Sequence, residues 1–141
     1  MSIGDGSALV NRLFSEVINQ WNFAMLDQVF AQNFSAVPGN AEEGGVRGPE
    51  AAKKFFSRLR DAFPDLHYTV DDVVVEGDKV VARVHARGTH RGEYLGHPPT
   101  ELPVEYSEML MFRIVDGRIA EWWVEINQLR VLRQIGAIPA R

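Results

Sequence analysis

Cysteine is absent from all 141 residues, which excludes disulfides, thiolate metal sites and a cysteine nucleophile together. No apolar run approaches the ~20 residues a membrane span needs, so no membrane partner is expected. Met1 to Gly6 are polar and lack the apolar stretch of a secretory signal; a soluble, cytoplasmic protein is the expectation. Basic residues are few and scattered. Fifteen Lys and Arg stand against 19 Asp and Glu, for a net charge of −4, and only short clusters such as Lys53-Lys54 occur. Binding to phosphate backbones draws on a concentrated basic face, so no nucleic acid is expected. His67, His85 and His97 show no spacing with carboxylates that resembles a ligand set, and no metal is expected.

What is present suits one globular domain spanning residues 1–141. A hydrophobic fraction of 45% and a charged fraction of 24% are ordinary values. Eight Phe, three Trp and three Tyr are enough to fill a core and still line a cavity. From Ser7, read as a cap, the residues Leu9, Val10, Leu13, Phe14, Val17, Ile18 and Trp21 recur at helical steps. Asn22 reads as a second cap, opening a short helix with Phe23, Leu26, Val29 and Phe30 inward. Phe34 to Val46 is irregular, with Pro38, Gly39, Gly44 and Gly45, and has room for one short strand and a mobile loop. Gly48-Pro49 announces a third helix with Ala52, Phe55, Phe56, Leu59 and Phe63 as its buried stripe, ended by Pro64.

The period then changes to two. His67 to Glu76 and Lys79 to Thr89 read as paired strands around Gly77-Asp78. Arg91 to Pro103 is a Gly- and Pro-rich loop. Val104 to Val115 and Arg118 to Asn127 form a hairpin through Asp116-Gly117, and Leu129, Leu132 and Ile135 suggest a closing helix that Gly136 ends. Helices followed by a meandering antiparallel sheet define an α+β architecture. If the sheet curves strongly, it makes a cone with a cavity between the layers.

Several fragments occur in the order and spacing of a known family. They are Ala62-Phe63-Pro64-Asp65-Leu66, Glu76-Gly77-Asp78-Lys79-Val80, Gly88-Thr89-His90-Arg91-Gly92 and Gly96-His97-Pro98-Pro99-Thr100. Arg113, Asp116-Gly117-Arg118-Ile119, Glu121-Trp122-Trp123 and Leu132-Arg133-Gln134-Ile135-Gly136 complete the set. Together they resemble the SnoaL-like polyketide cyclase (ester cyclase) family. That resemblance implies a nuclear-transport-factor-2-like cone, a homodimer, no metal and no organic cofactor. It also implies a pocket in which an aromatic polyketide ring is closed by an intramolecular aldol reaction, with an Asp after the last-strand Trp as general acid/base. Counted from Trp123, Asn127 occupies that position, and an amide does not exchange a proton near neutral pH. A His common after the first short strand is also absent, because Phe34-Ser35-Ala36-Val37 stands there.

Other residues are candidates for the proton chemistry. Glu125 shares a strand face with Asn127 and acts as a base if that face lines the pocket; if it points outward, it pairs with an Arg. Glu108 sits among apolar residues and needs solvent or a partner, with Arg113 or Arg83 available for a structural or a carbonyl-orienting pair. His90 at the sheet rim is either a proton shuttle or a structural loop residue. Asn127 can hold a carbonyl or a water. Trp123, Trp21, Phe30, Phe34, Phe56 and Met111 are candidates for an apolar wall around a small hydrophobic organic molecule. The expected activity is a cofactor-independent cyclase or isomerase. A ligand-binding module without catalysis and an epoxide-opening hydrolase are the alternatives.

Overall fold

Periodicity of 3.6 residues builds the first layer. The structure, a computed structural model, describes residues 3–36 and 47–139. Helix α1 spans Ile3–Arg12 and runs on as a π-helical stretch, Leu13–Ile18. There Asn19 and Asn22 donate to the carbonyls of Phe14 and Val17, each at 2.9 Å, five residues back. Val10, Leu13, Phe14, Val17 and Ile18 are buried along the stripe. Ser7 lies inside α1 and does not cap it, because the helix starts four residues before it. Trp21, at a positive φ of 51°, turns the chain into a 3₁₀ turn, Phe23–Met25, and the one-turn α2, Leu26–Val29. Asn22 holds the cap position, yet its side chain makes no capping bond.

Phe30 was expected on that second helix. Instead it opens strand β1, Phe30–Ala36, whose Phe30, Phe34 and neighbouring rings pack edge to face. The loop expected after Ala36, through Val46, lies outside the described residues. Helix α3, Pro49–Ala62, begins with Pro at its first turn. Gly48 precedes it at φ 74°, where an added Cβ would collide with the carbonyl of Gln32. Ala51, Ala52, Phe56 and Ala62 form the buried stripe of α3. Phe55 is exposed and Leu59 only half-buried, because that side of α3 faces a cavity and not packed core.

The sheet follows the two-residue alternation closely. Strands β2 (His67–Glu76), β3 (Lys79–Thr89), β4 (Pro103–Val115) and β5 (Arg118–Ile126) form antiparallel pairs, and β1 adds in parallel beside β5, in the order β1-β5-β4-β3-β2. Asp116 and Gly117 both take positive φ, 50° and 76°, as a two-residue hairpin turn requires. Strand β5 stops one residue short of Asn127, which instead caps helix α4, Gln128–Gln134. One face of the sheet carries Val80, Ala82, Val84 and Ala86, then Val104, Tyr106, Glu108, Leu110 and Phe112, then Trp122, and all are buried. The helices cover that face. The result is the expected α+β cone, an N-terminal helical layer on a curved sheet that encloses a pocket.

Candidate active site

A cavity of about 660 Å³ lies between α3 and the inner sheet face. Its floor is Tyr106 and Glu108 of β4 with Trp122, Val124 and Ile126 of β5. Phe34 and Ser35 of β1 and Tyr68 of β2 form the sides. Ala51, Phe55, Leu59 and Ala62 roof it from α3. Arg47, Arg58, Asp61, Glu93 and the turn Tyr94-Leu95-Gly96 form the rim, with Gln128 beside them.

Glu108 is in the cavity because of strand phase. In β4 the inward positions are Val104, Tyr106, Glu108, Leu110, Phe112 and Ile114, so one carboxyl enters an otherwise apolar row. Neither expected arginine reaches it. Arg113 pairs with Glu121, and Arg83 with Asp72 and Asp71, all on the opposite sheet face. Instead the Tyr68 hydroxyl donates to Glu108 Oε1 at 2.7 Å, and Tyr68 and Tyr106 share a hydroxyl–hydroxyl bond of 2.9 Å. Glu108 Oε2 has no hydrogen-bond partner among the described residues, and Glu108 lines the cavity. Burial raises the Glu108 carboxyl to about 7, a rise that the Tyr68 hydrogen bond partly opposes. Burial, then the nearby Glu108 charge, pushes the Tyr68 and Tyr106 hydroxyls well above their ordinary values, so both stay neutral donors. When Glu108 is ionised it can only accept, which fixes the order of donation as Tyr106 to Tyr68 to Glu108.

Two neighbours hold this cluster in place. The Asn19 side chain clamps the backbone of Tyr68, donating to its carbonyl at 2.9 Å and accepting from its N–H at 2.7 Å. This satisfies the edge of β2 that no strand covers. At the rim, Gln128 donates to the Tyr94 hydroxyl at 3.3 Å, leaving the Tyr94 proton available to the cavity. Trp122 sits in a nest of rings, with Phe34 at 5.2 Å, Phe55 at 5.4 Å, and Phe30 and Phe56 at 5.7 Å. Its indole N–H is buried without a hydrogen-bond partner among the described residues, an omission costing about 1–3 kcal/mol.

The other expected site residues fall elsewhere. Glu125 and Asn127 are exposed and border a shallow depression on the outer side, with Arg83, Ser107 and Met109. Among the described residues, only Glu108 and Ile126 border both spaces. Asn127 Oδ1 accepts from the Arg130 N–H at 3.2 Å as the cap of α4. Trp123 and Met111 face each other across β5 and β4, half-buried on the outer face. Trp21 donates to the Pro64 carbonyl at 2.9 Å and braces the helical corner. Phe30 and Phe56 are core, one layer behind the cavity; Phe34 alone of the six wall candidates lines it.

His90 is fully buried, and its Nδ1 faces both the Thr100 hydroxyl at 3.0 Å and the Thr100 N–H at 3.3 Å. Accepting from a backbone N–H places the ring proton on Nε2, which has no partner among the described residues, and His90 does not line the cavity. His90 thus pins the loop after β3. Sequence reasoning missed Tyr68, Tyr106, Phe55, Tyr94 and Trp122. The alternation of β4 does place Tyr106 two residues before Glu108, and that signal was available.

Helices packed on a curved sheet with a cavity between the layers, holding one buried acid and neutral hydroxyl donors, define a protein of the nuclear-transport-factor-2-like architecture. The description SnoaL-like polyketide cyclase matches residues 8–135, and the chain belongs to that family. It is 30% identical over 103 residues, 70% of this chain and 75% of the other, to nogalonic acid methyl ester cyclase of Streptomyces nogalater. Among solved structures, TsrD of Streptomyces laurentii superposes with a TM-score of 0.87 at 29% identity, covering 98% of this chain and 99% of its own. IdmH of Streptomyces antibioticus superposes with a TM-score of 0.77 at 31% identity, covering 93% and 98%.

Proposed function

We propose that the chain is a cofactor-independent cyclase or isomerase acting on a polyketide-like or polycyclic molecule, with Glu108 as its proton-transfer group. The observation that supports this reading is the buried Glu108 carboxyl, which lines the cavity and has one oxygen held by Tyr68. A carboxyl titrating at about 7 exchanges protons in either direction near neutral pH. The relative named for a polyketide methyl ester suggests the substrate class: an oxygenated aromatic skeleton with neutral carbonyl groups.

In an aldol closure, ionised Glu108 removes a proton from the carbon beside a carbonyl. That carbon forms the new C–C bond to a second carbonyl of the same molecule. The resulting alkoxide takes the proton back from Glu108, so the enzyme ends unchanged. Tyr94, on the cavity rim, donates to the developing oxyanion in this reading. Phe34, Phe55 and Trp122 hold the chain in its folded shape, and positioning of this kind removes several kcal/mol of barrier. Glu125 and Asn127 stay outside the reaction.

The test is ring closure of nogalonic acid methyl ester or a simpler aromatic β-keto ester, followed by absorbance. Glu108→Gln should lower turnover by at least about a hundredfold, a usual general-base contribution, while ligand affinity stays within about tenfold. Unchanged turnover in that variant would remove Glu108 from the mechanism. Binding that leaves every substrate unconverted would favour a ligand-carrying role, a reading consistent with Asn127 standing where the family acid is expected.

We further propose a homodimer. The outer sheet face carries Met109, Met111 and Trp123, all partly or largely exposed, an apolar strip that a second copy would cover.

A further inference from the structure

Trp122 is a buried side chain whose donor goes unused. It lines the cavity, is 3% exposed, and its indole N–H has no hydrogen-bond partner among the described residues. The nest around it is made of phenylalanine rings, which offer no lone pair. Phe55 is the ring of that nest with room to move: it is 38% exposed and also lines the cavity.

The position of Trp122 gives the donor a use. Glu108 pairs with Ile126 across β4 and β5, and Trp122 lies four residues before Ile126 on the same inward face. Four strand residues span about 13 Å, so Trp122 and Glu108 stand at opposite ends of one floor. The floor between them is Val124 and Ile126, with no polar side-chain atom.

We propose that the Trp122 indole N–H is a second polar anchor, donating to an oxygen at the end of the ligand remote from Glu108. The ligand class is therefore an elongated, rigid skeleton of about three or four fused rings' length, apolar in its middle and oxygenated at both ends. Phe55 swings aside as the ligand enters and exposes the indole edge. The inference rests on the cavity being the ligand site, as proposed above, but not on Glu108 moving a proton.

The test compares 2,6-dihydroxyanthracene, oxygenated at both ends of its long axis and apolar between them, with 2-hydroxyanthracene by calorimetry. The dihydroxy compound should bind about tenfold more tightly than the monohydroxy compound to the wild-type chain, and Trp122→Phe should abolish that ratio, so that the two compounds bind the variant equally. In ¹H–¹⁵N spectra the Trp122 indole proton should move downfield with the dihydroxy compound only. If Trp122→Phe does not fold, the signal is assigned by elimination using Trp21→Phe and Trp123→Phe. Equal affinities for the two compounds in the wild type, an advantage that survives in Trp122→Phe, a stationary indole signal, or no binding of either compound would overturn the proposal. Loss of turnover in Glu108→Gln would stand in any of those cases, which keeps the two readings separable.

Discussion

Glu108 carries a stability signature as well as a chemical one. Its pKa rises from an ordinary 4.5 to about 7 on folding, so the folded state binds the proton more tightly than the unfolded state. Stability is therefore full below about pH 4.5, falls as pH rises through the window up to about 7, and is flat beyond it with respect to this group. At 1.36 kcal/mol per unit the loss is on the order of 3 kcal/mol. Glu108→Gln removes that slope: denaturant melts should show the variant gaining on the wild type between about pH 5 and 8, and parallel curves would contradict the assignment. Tyr68→Phe should act in the opposite sense to a simple loss of packing. Its hydroxyl favours the ionised carboxylate, so the ionisation of Glu108, read from a pH–rate profile, should move to higher pH. The sequence singled out Glu108 because a carboxyl stands in an apolar row. It could not name the partner, because Tyr68 lies 40 residues away and the two meet only through sheet pairing.

At the scale of the element, one irregularity decides which residues form the site. Between Arg113 and Ile114 the register of β4 against β5 shifts, and Ile119 and Ala120 are both buried in succession. That shift sets the phase of everything after it: Trp122, Val124 and Ile126 turn inward, and Trp123 and Glu125 turn outward. Alternation read from sequence correctly groups Trp123 with Glu125, but it does not reveal which face is inside. Asn127 then belongs to α4 and not to the strand, so Asn127→Ala should cost about 1 kcal/mol as a lost cap and leave ligand affinity alone; a large loss of affinity would return it to the site. Asn19 has a wider reach. Removing its two bonds to the Tyr68 backbone by Asn19→Ala should cost about 1–3 kcal/mol, and hydrogen exchange at Tyr68 should quicken. Gly92 is fixed by proximity, since an added Cβ would overlap the Asp61 carbonyl. Gly92→Ala should therefore displace the turn carrying Tyr94, weakening ligand binding along with stability.

Across the whole molecule, the legible part was the order and type of elements. Strands β2 and β3 were bounded by clear turn residues, Gly77-Asp78, and β5 by Asp116-Gly117, so periodicity placed them closely. The passage from Asn22 to Phe34 was less legible, because Phe30 continues an apolar helical spacing while its backbone has already turned to strand. The pocket followed from the fold, but its contents depended on which wall residues had packed core behind them. At this scale the proposed dimer predicts a solution mass near twice 15.9 kDa by light scattering, and a concentration-independent monomer would contradict it. The account as a whole turns on one ionisation. The carboxyl ¹³C shift of Glu108, assigned by its disappearance in Glu108→Gln, should be followed from about pH 4 to 9. A midpoint at about 7 is the predicted result; a midpoint at the ordinary 4.5 would mean a solvated carboxylate and would contradict the proposed proton carrier.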